Sequence, residues 1–176
     1  NRRFGKKWGI PSRGSRAFFS NLICFGVKRS NEMRTSAKGK KASVKALGCR
    51  LNQYEALAME GKLKAAGYEI VSFGEDADLG VINSCTVTNE ADAKSRNAIR
   101  RFIRKNSRAV TVVVGCYSQV AANRIAMIDG VDYVIGNHDK LNFLDYLTDE
   151  KPASPVVVRE RISREDFCIG FDSDHD

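Results

Sequence analysis

The chain has 176 residues, 43% of them hydrophobic and 28% charged, with a net charge of +8. That length and apolar content suffice for one domain of ordinary size with a sizeable core, plus tails. Its five cysteines, an odd number with no CxxC pair, argue against a secreted disulfide framework and for reduced, intracellular thiols.

Residues 1–43 hold twelve basic residues and one acidic residue, Glu32, so residues 44–176 keep 17 basic and 20 acidic of the chain's 29 and 21. The charge that would invite a nucleic-acid reading is therefore mostly a property of this leader, and the folded part is slightly acidic. The leader's one apolar patch, Ala17 to Val27, is far too short to span a bilayer, and no membrane association is expected. Lys28 and Arg29 follow it with no small-residue cleavage site, unlike a signal peptide. An organelle transit segment and upstream sequence before a true start at Met33 are the readings left, the second preferred. On that reading the leader is disordered and the protein cytoplasmic, with organelle import tied to a genuine leader. Cys24 is given no role.

Residues 44–150 are regular enough to be read as a domain. Val44 to Gly48 reads as a first strand ending at Cys49. Asn52, with Glu55 three residues on, has the form of an N-cap and its capping-box partner. Ala56, Met59, Leu63 and Ala66 then recur at helical spacing up to Gly67. Tyr68 to Ser72 is a short strand and Gly74 to Asp78 a polar turn. Leu79 to Asn83 is an apolar, β-branched strand that stops at Ser84-Cys85. Thr88 or Asn89 caps a helix from about Glu90 to Lys105, with Ala91, Ala98, Ile99, Phe102 and Ile103 on its buried side. Val110 to Val114 is a fourth strand, followed by Gly115-Cys116 and a helix over Ser118 to Met127. Val131 to Ile135 is a fifth, closed by Gly136-Asn137. Leu141, Leu144 and Leu147 mark a last helix. Residues 151–176 read as a linker, with a small candidate strand at Pro155 to Val158 and an acidic end.

Strands alternating with helices predict an α/β domain of three layers, Rossmann- or flavodoxin-like, with a five-stranded, mostly parallel sheet in the order 2-1-3-4-5. The weak point is Phe73 to Asp78. Six residues reach at most about 20 Å, barely enough to pass under the first strand. An antiparallel edge at Tyr68 to Ser72 is the alternative.

In that order the strands ending in Cys49, Cys85 and Cys116 lie side by side, ~4.8 Å apart. Three thiols then come to the carboxyl edge of the sheet, where strand order reverses and open α/β sheets bind ligands. Helix N-termini face the same rim and favour thiolates. Cys85 is expected on a loop outside the core. Three thiolates suit a soft metal, and a 4Fe–4S cluster held by three cysteines keeps one iron open. Two other readings stand beside this one. The cysteines are simply buried, as free cysteines often are, or His138 completes a Cys₃His zinc site. The helix after Cys85 carries Lys94, Arg96, Arg100, Arg101, Arg104 and Lys105. Lys94 and Arg96, nearest the cysteine loop, are candidates for contact with RNA or the cluster, while Arg100 to Lys105 fit an ordinary solvated face. Asn52 and Asn83 are expected to hydrogen-bond the loops.

The strings Ala46-Leu47-Gly48-Cys49-Arg50-Leu51-Asn52, Asn83-Ser84-Cys85-Thr86-Val87-Thr88-Asn89 and Val114-Gly115-Cys116-Tyr117-Ser118-Gln119 resemble the amino-terminal domain of the radical-SAM tRNA methylthiotransferases. Ala91-Asp92, Lys94-Ser95-Arg96, Gly130-Val131-Asp132 and Gly136-Asn137 bring the resemblance closest to the branch acting on N6-threonylcarbamoyladenosine beside the anticodon. It covers about Val44 to Leu147. It implies that Cys49, Cys85 and Cys116 hold an auxiliary 4Fe–4S cluster. It also implies that a second 4Fe–4S cluster and S-adenosyl-L-methionine sit in a separate domain, and that the partner is the anticodon stem-loop of tRNA. The chain departs from the family in lacking CxxxCxxC, and Cys168 stands alone. On this resemblance it is a piece of the enzyme, expected to be monomeric and inactive by itself, with residues 151–176 leading toward an absent radical-SAM domain. A non-enzymatic, flavodoxin-like module that binds zinc or another ligand is the alternative.

Overall fold

The computed structural model describes residues 37–148 and 150–159. The expectations for residues 1–36, Cys24, Cys168 and the acidic end lie outside them. The elements in order are β1 (Lys41–Ala46), α1 (Arg50–Ala65), β2 (Glu69–Ile70), β3 (Leu79–Ser84), α2 (Asn89–Lys105), β4 (Val110–Gly115), α3 (Cys116–Ala126), β5 (Tyr133–Ile135), a 3₁₀ helix (Lys140–Tyr146) and β6 (Val156–Val158). The sheet has the order β2-β1-β3-β4-β5-β6. Every neighbouring pair of strands is parallel.

The expected order holds, with six strands instead of five. Val156 N–H donates to Asp132 O and Gly136 N–H to Val158 O, both at 2.8 Å, so the β-branched run after Pro155 covers what would be an exposed edge of β5. Pro155 lacks a donor and stands just ahead of the strand. At the other end, β1 starts at Lys41 rather than Val44. Lys41 and Asp78 exchange hydrogen bonds there, and the lysines hide this start among the leader's basic residues.

β2 is parallel to β1, so the antiparallel alternative is not adopted. Ile70 and Leu79 both pair with Ala42, one on each side of β1. Residues 71–78 therefore cross about two strand spacings, ~10 Å, and need not travel back along a full strand. With β2 only two residues long, the chain never climbs to the far edge.

Several element ends differ from expectation. Cys49, not Asn52, is the N-cap of α1, because Asn52 is drawn inward by the strand ends described below. Thr88 caps α2, its Oγ1 accepting from Ala91 N at 3.1 Å. α3 begins at Cys116, two residues earlier than expected. The last helix is 3₁₀. Leu141, Leu144 and Leu147 recur every three residues, the spacing of a 3₁₀ helix and not of an α-helix.

Alternation along the strands divides the core in two. Leu79, Val81, Val112, Val114, Tyr133 and Ile135 face Met59 and Leu63 of α1 and Phe143 of the 3₁₀ helix. Ile82, Val113 and Val134 face Ile99 and Phe102 of α2 and Tyr117 and Ile125 of α3. Each fully buried large side chain contributes about 1.5–3 kcal/mol, so this three-layer packing fixes the sheet's carboxyl edge firmly. Among the described residues no helix is long and apolar enough to cross a membrane.

Candidate metal centre

Register sets the positions of the three cysteines. Asn83 pairs with Ala46 on one side and Val114 on the other, and Ser84 pairs with Gly115. Cys85 and Cys116 follow that last pair directly, at the same level of the sheet. Leu47 N–H extends the β1 ladder to Asn83 O at 3.0 Å, and Cys49 starts α1 two residues later. All three cysteines thus lie at the carboxyl ends of adjacent parallel strands.

Their environments differ. Cys49 is exposed, Cys116 half-buried and Cys85 only 2% exposed. The last value corrects the expectation that Cys85 lies outside the core. The reason is Gly48, at φ +86°. A β-carbon on it would stand 2.3 Å from Cys85 Sγ, so the chain leading to Cys49 passes directly over Cys85. Ser95 of α2 holds the other side: Cys85 N–H donates to Ser95 Oγ (3.4 Å), and Ser95 Oγ donates to Cys85 O (3.2 Å).

A polar run underlies the rim. Asn52 Nδ2 donates to Leu47 O (2.8 Å) and Ser84 O (3.1 Å), stitching the ends of β1 and β3 together. Asn83 Nδ2 donates to Asn52 O (3.0 Å) and Glu55 Oε2 (3.2 Å). Asn52 thus bonds the loop after β1, as expected, whereas Asn83 bonds the first turns of α1 instead of a loop. Glu55 pairs with Lys140 at 2.7 Å, and their side chains are only 11% and 12% exposed. Lys140 Nζ also donates to Asn137 Oδ1 (3.2 Å), which turns the Asn137 amide so that Nδ2 donates to Cys116 Sγ (3.6 Å).

The structure brings the three cysteines to one rim. Among the described residues it does not gather three Cys, His, Asp or Glu side chains into a formed metal-binding group. His138 stands exposed in the turn after β5 and joins no such group either. The donor chemistry fits an iron–sulfur cluster: three thiols on one edge, a glycine that permits close approach, and an amide donor aimed at a sulfur.

Lys94 is exposed and paired with Glu90 at 2.7 Å. That hydrogen bond and charge hold the Glu90 carboxyl below its ordinary value. Arg96 turns toward the rim instead. Its Nη1 donates to Tyr117 OH (2.8 Å), and its guanidinium lies 5.9 Å from the centre of the Tyr117 ring. Arg96 follows Ser95 and Tyr117 follows Cys116, so this contact ties together the segments that carry Cys85 and Cys116. Sequence reasoning assigned no role to Gly48, Ser95, Asn137 or Lys140. All but Lys140 stand inside the strings that carried the resemblance, and that placement was the available signal.

Residues 41–136 match the family described as "Uncharacterized protein family UPF0004". The threonylcarbamoyladenosine tRNA methylthiotransferase MtaB of Aquifex aeolicus is 42% identical over 135 residues, 76% of this chain and 33% of that protein. The protein of the same name from Bacillus subtilis is 48% identical over 101 residues, 57% of this chain and 22% of that protein. The tRNA-2-methylthio-N(6)-dimethylallyladenosine synthase of Bacillus anthracis is 31% identical over 144 residues, 78% of this chain and 28% of that protein. The chain thus spans a third or less of the length of these curated relatives.

Proposed function

Because the chain belongs to the UPF0004 family, we propose that it is the amino-terminal, cluster-holding part of a transferase that adds a 2-methylthio group to N6-threonylcarbamoyladenosine beside the anticodon of tRNA. The observation that carries this reading is the placement of Cys49, Cys85 and Cys116 at the carboxyl ends of β1, β3 and β4. Those three thiolates would hold a 4Fe–4S cluster. Held by three cysteines, such a cluster keeps one iron free of protein ligands and supplies the sulfur-carrying position.

The chain's own residues set up that site. Gly48 lets the Cys49 segment approach Cys85. Ser95 fixes the Cys85 backbone from α2. Asn137, aligned by Lys140, donates to the Cys116 sulfur. Attack at an unactivated adenine carbon needs a radical oxidant, which proteins draw from a cofactor and not from side chains. The sequence holds no CxxxCxxC, so S-adenosyl-L-methionine cleavage with its own cluster is assigned to a separate domain, and the 176-residue chain alone is inactive. The test is mass spectrometry of tRNA nucleosides from a strain complemented with the full-length enzyme carrying Cys85→Ala. The 2-methylthio mark should vanish while S-adenosyl-L-methionine cleavage persists. The mark at normal levels would refute the assignment.

A further inference from the structure

α2 and α3 pack on the same face of the sheet and leave between them an open groove of about 980 Å³. Arg96, Arg100, Arg101 and Arg104 of α2 and Arg124 of α3 line it, and among the described residues Asp129 is the one acidic side chain that does. Five arginines meet here in a region, residues 44–176, that is acidic overall. The groove is therefore a local concentration of charge and not a sample of a basic domain.

Helix electrostatics explain only part of it. Glu90 and Asp92 in the first turn of α2, with Arg104 and Lys105 in the last, suit the helix dipole. Arg100 and Arg101 in the interior, and Arg124 across the groove, do not follow from that rule. Arg96, Arg100 and Arg104 stand at successive i,i+4 positions, where like charges repel. Among the described residues, no carboxylate forms an ion pair with Arg100, Arg101, Arg104 or Arg124. An anion in the groove would relieve this repulsion. Guanidinium forks match phosphate oxygens, and an open trough along two helices suits a chain of phosphates better than one small anion. Among the described residues the aromatic side chain at the groove is Tyr117, 1% exposed, so these residues offer no stacking platform for bases. The contact would be to backbone, without sequence readout.

We propose that the α2/α3 groove binds the phosphate backbone of RNA and delivers the substrate stem to the cysteine rim, which the groove meets at Arg96 and Tyr117. This rests on the tRNA-modifying reading above. It also gives Arg100, Arg101 and Arg104 a role beyond the expected solvated face, while Lys105, outside the groove and paired with Asp76 at 3.5 Å, keeps that reading. The test is a fluorescence-anisotropy titration of a short, labelled RNA hairpin with the full 176-residue chain at several salt concentrations. The groove variant Arg100→Gln/Arg104→Gln/Arg124→Gln is compared with Lys38→Gln/Lys64→Gln/Arg108→Gln, which removes the same charge from exposed sites elsewhere. Apart from Lys38 in the control, residues 1–43 are the same in both variants, so eleven of their twelve basic residues contribute equally to each.

The groove variant should bind at least about 10-fold more weakly, with a salt slope smaller by roughly 2 to 3. The control should stay within about 2-fold of the parent. Equal loss in both variants, or unchanged binding by the groove variant, would overturn the proposal. Displacement of the hairpin by polyglutamate at equal charge concentration would reassign the groove to an acidic protein partner. Iron content, read separately, keeps the two readings apart. Cys85→Ala should lose iron yet bind the hairpin like the parent, so either proposal can fail while the other stands.

Discussion

Gly48 occupies the space beside Cys85 that a side chain would need: its absent β-carbon would lie 2.3 Å from the Cys85 sulfur and 2.4 Å from its β-carbon. Gly67 has a similar backbone, φ +94° against +86°, but a β-carbon there would meet nothing closer than 3.7 Å. The pair separates backbone strain from contact. Gly67→Ala should cost about 1 kcal/mol, whereas Gly48→Ala should cost about 2–4 kcal/mol and impair iron retention, since overpacking adds to the strain. Chemical denaturation of both variants checks this, and equal costs would mean that the Gly48–Cys85 contact carries no weight.

Ser95 is fully buried and serves both backbone groups of Cys85. Ser95→Ala leaves a buried N–H and a buried C=O without that partner, and should destabilise by about 1–3 kcal/mol. A denaturation midpoint unchanged from the parent would show that these two long hydrogen bonds contribute nothing.

Glu55 and Lys140 form an ion pair mostly removed from solvent. Lys140→Met leaves the Glu55 carboxylate without its cation and should cost about 3 kcal/mol, while adding Glu55→Gln should restore most of it. A double-mutant cycle measures the coupling. Additive effects would count against an interacting pair.

The same lysine reaches the sulfur chemistry through Asn137. Hydrogen bonds to cluster sulfurs raise reduction potential. With a cluster assembled, Asn137→Ala should shift the potential to more negative values without changing iron content, as read by a redox titration followed by electron paramagnetic resonance. A potential equal to that of the parent would remove Asn137 from the site.

The sequence made the alternation of strands and helices legible, and with it the order of the sheet, because Leu79–Ser84 and Val110–Gly115 are short apolar runs with few rival readings. It also placed three cysteines after three strands. The depth of Cys85 was not legible, since it depends on Gly48 approaching from the loop after β1. Asn52 was legible only in part: it bonds the loop after β1, as expected, but does not cap α1. Its spacing to Glu55 matches a capping box, yet tertiary demand from Leu47 and Ser84 takes its side chain, and Glu55 goes to Asn83 and Lys140. The candidate strand at Pro155 to Val158 was legible as a strand but not as part of the sheet, because that place follows only once β5 is seen to need an edge partner.

The central claim is that Cys49, Cys85 and Cys116 together hold one cluster, and anaerobic reconstitution of the 176-residue chain tests it most directly. Iron and sulfide should each reach about four per chain, with a broad absorption near ~400 nm. Alanine at Cys49, Cys85 or Cys116 should each abolish both signals, while alanine at Cys24 or Cys168 should leave them intact. Full iron retention by Cys116→Ala, or stoichiometric zinc without iron that is lost on His138→Ala, would contradict it.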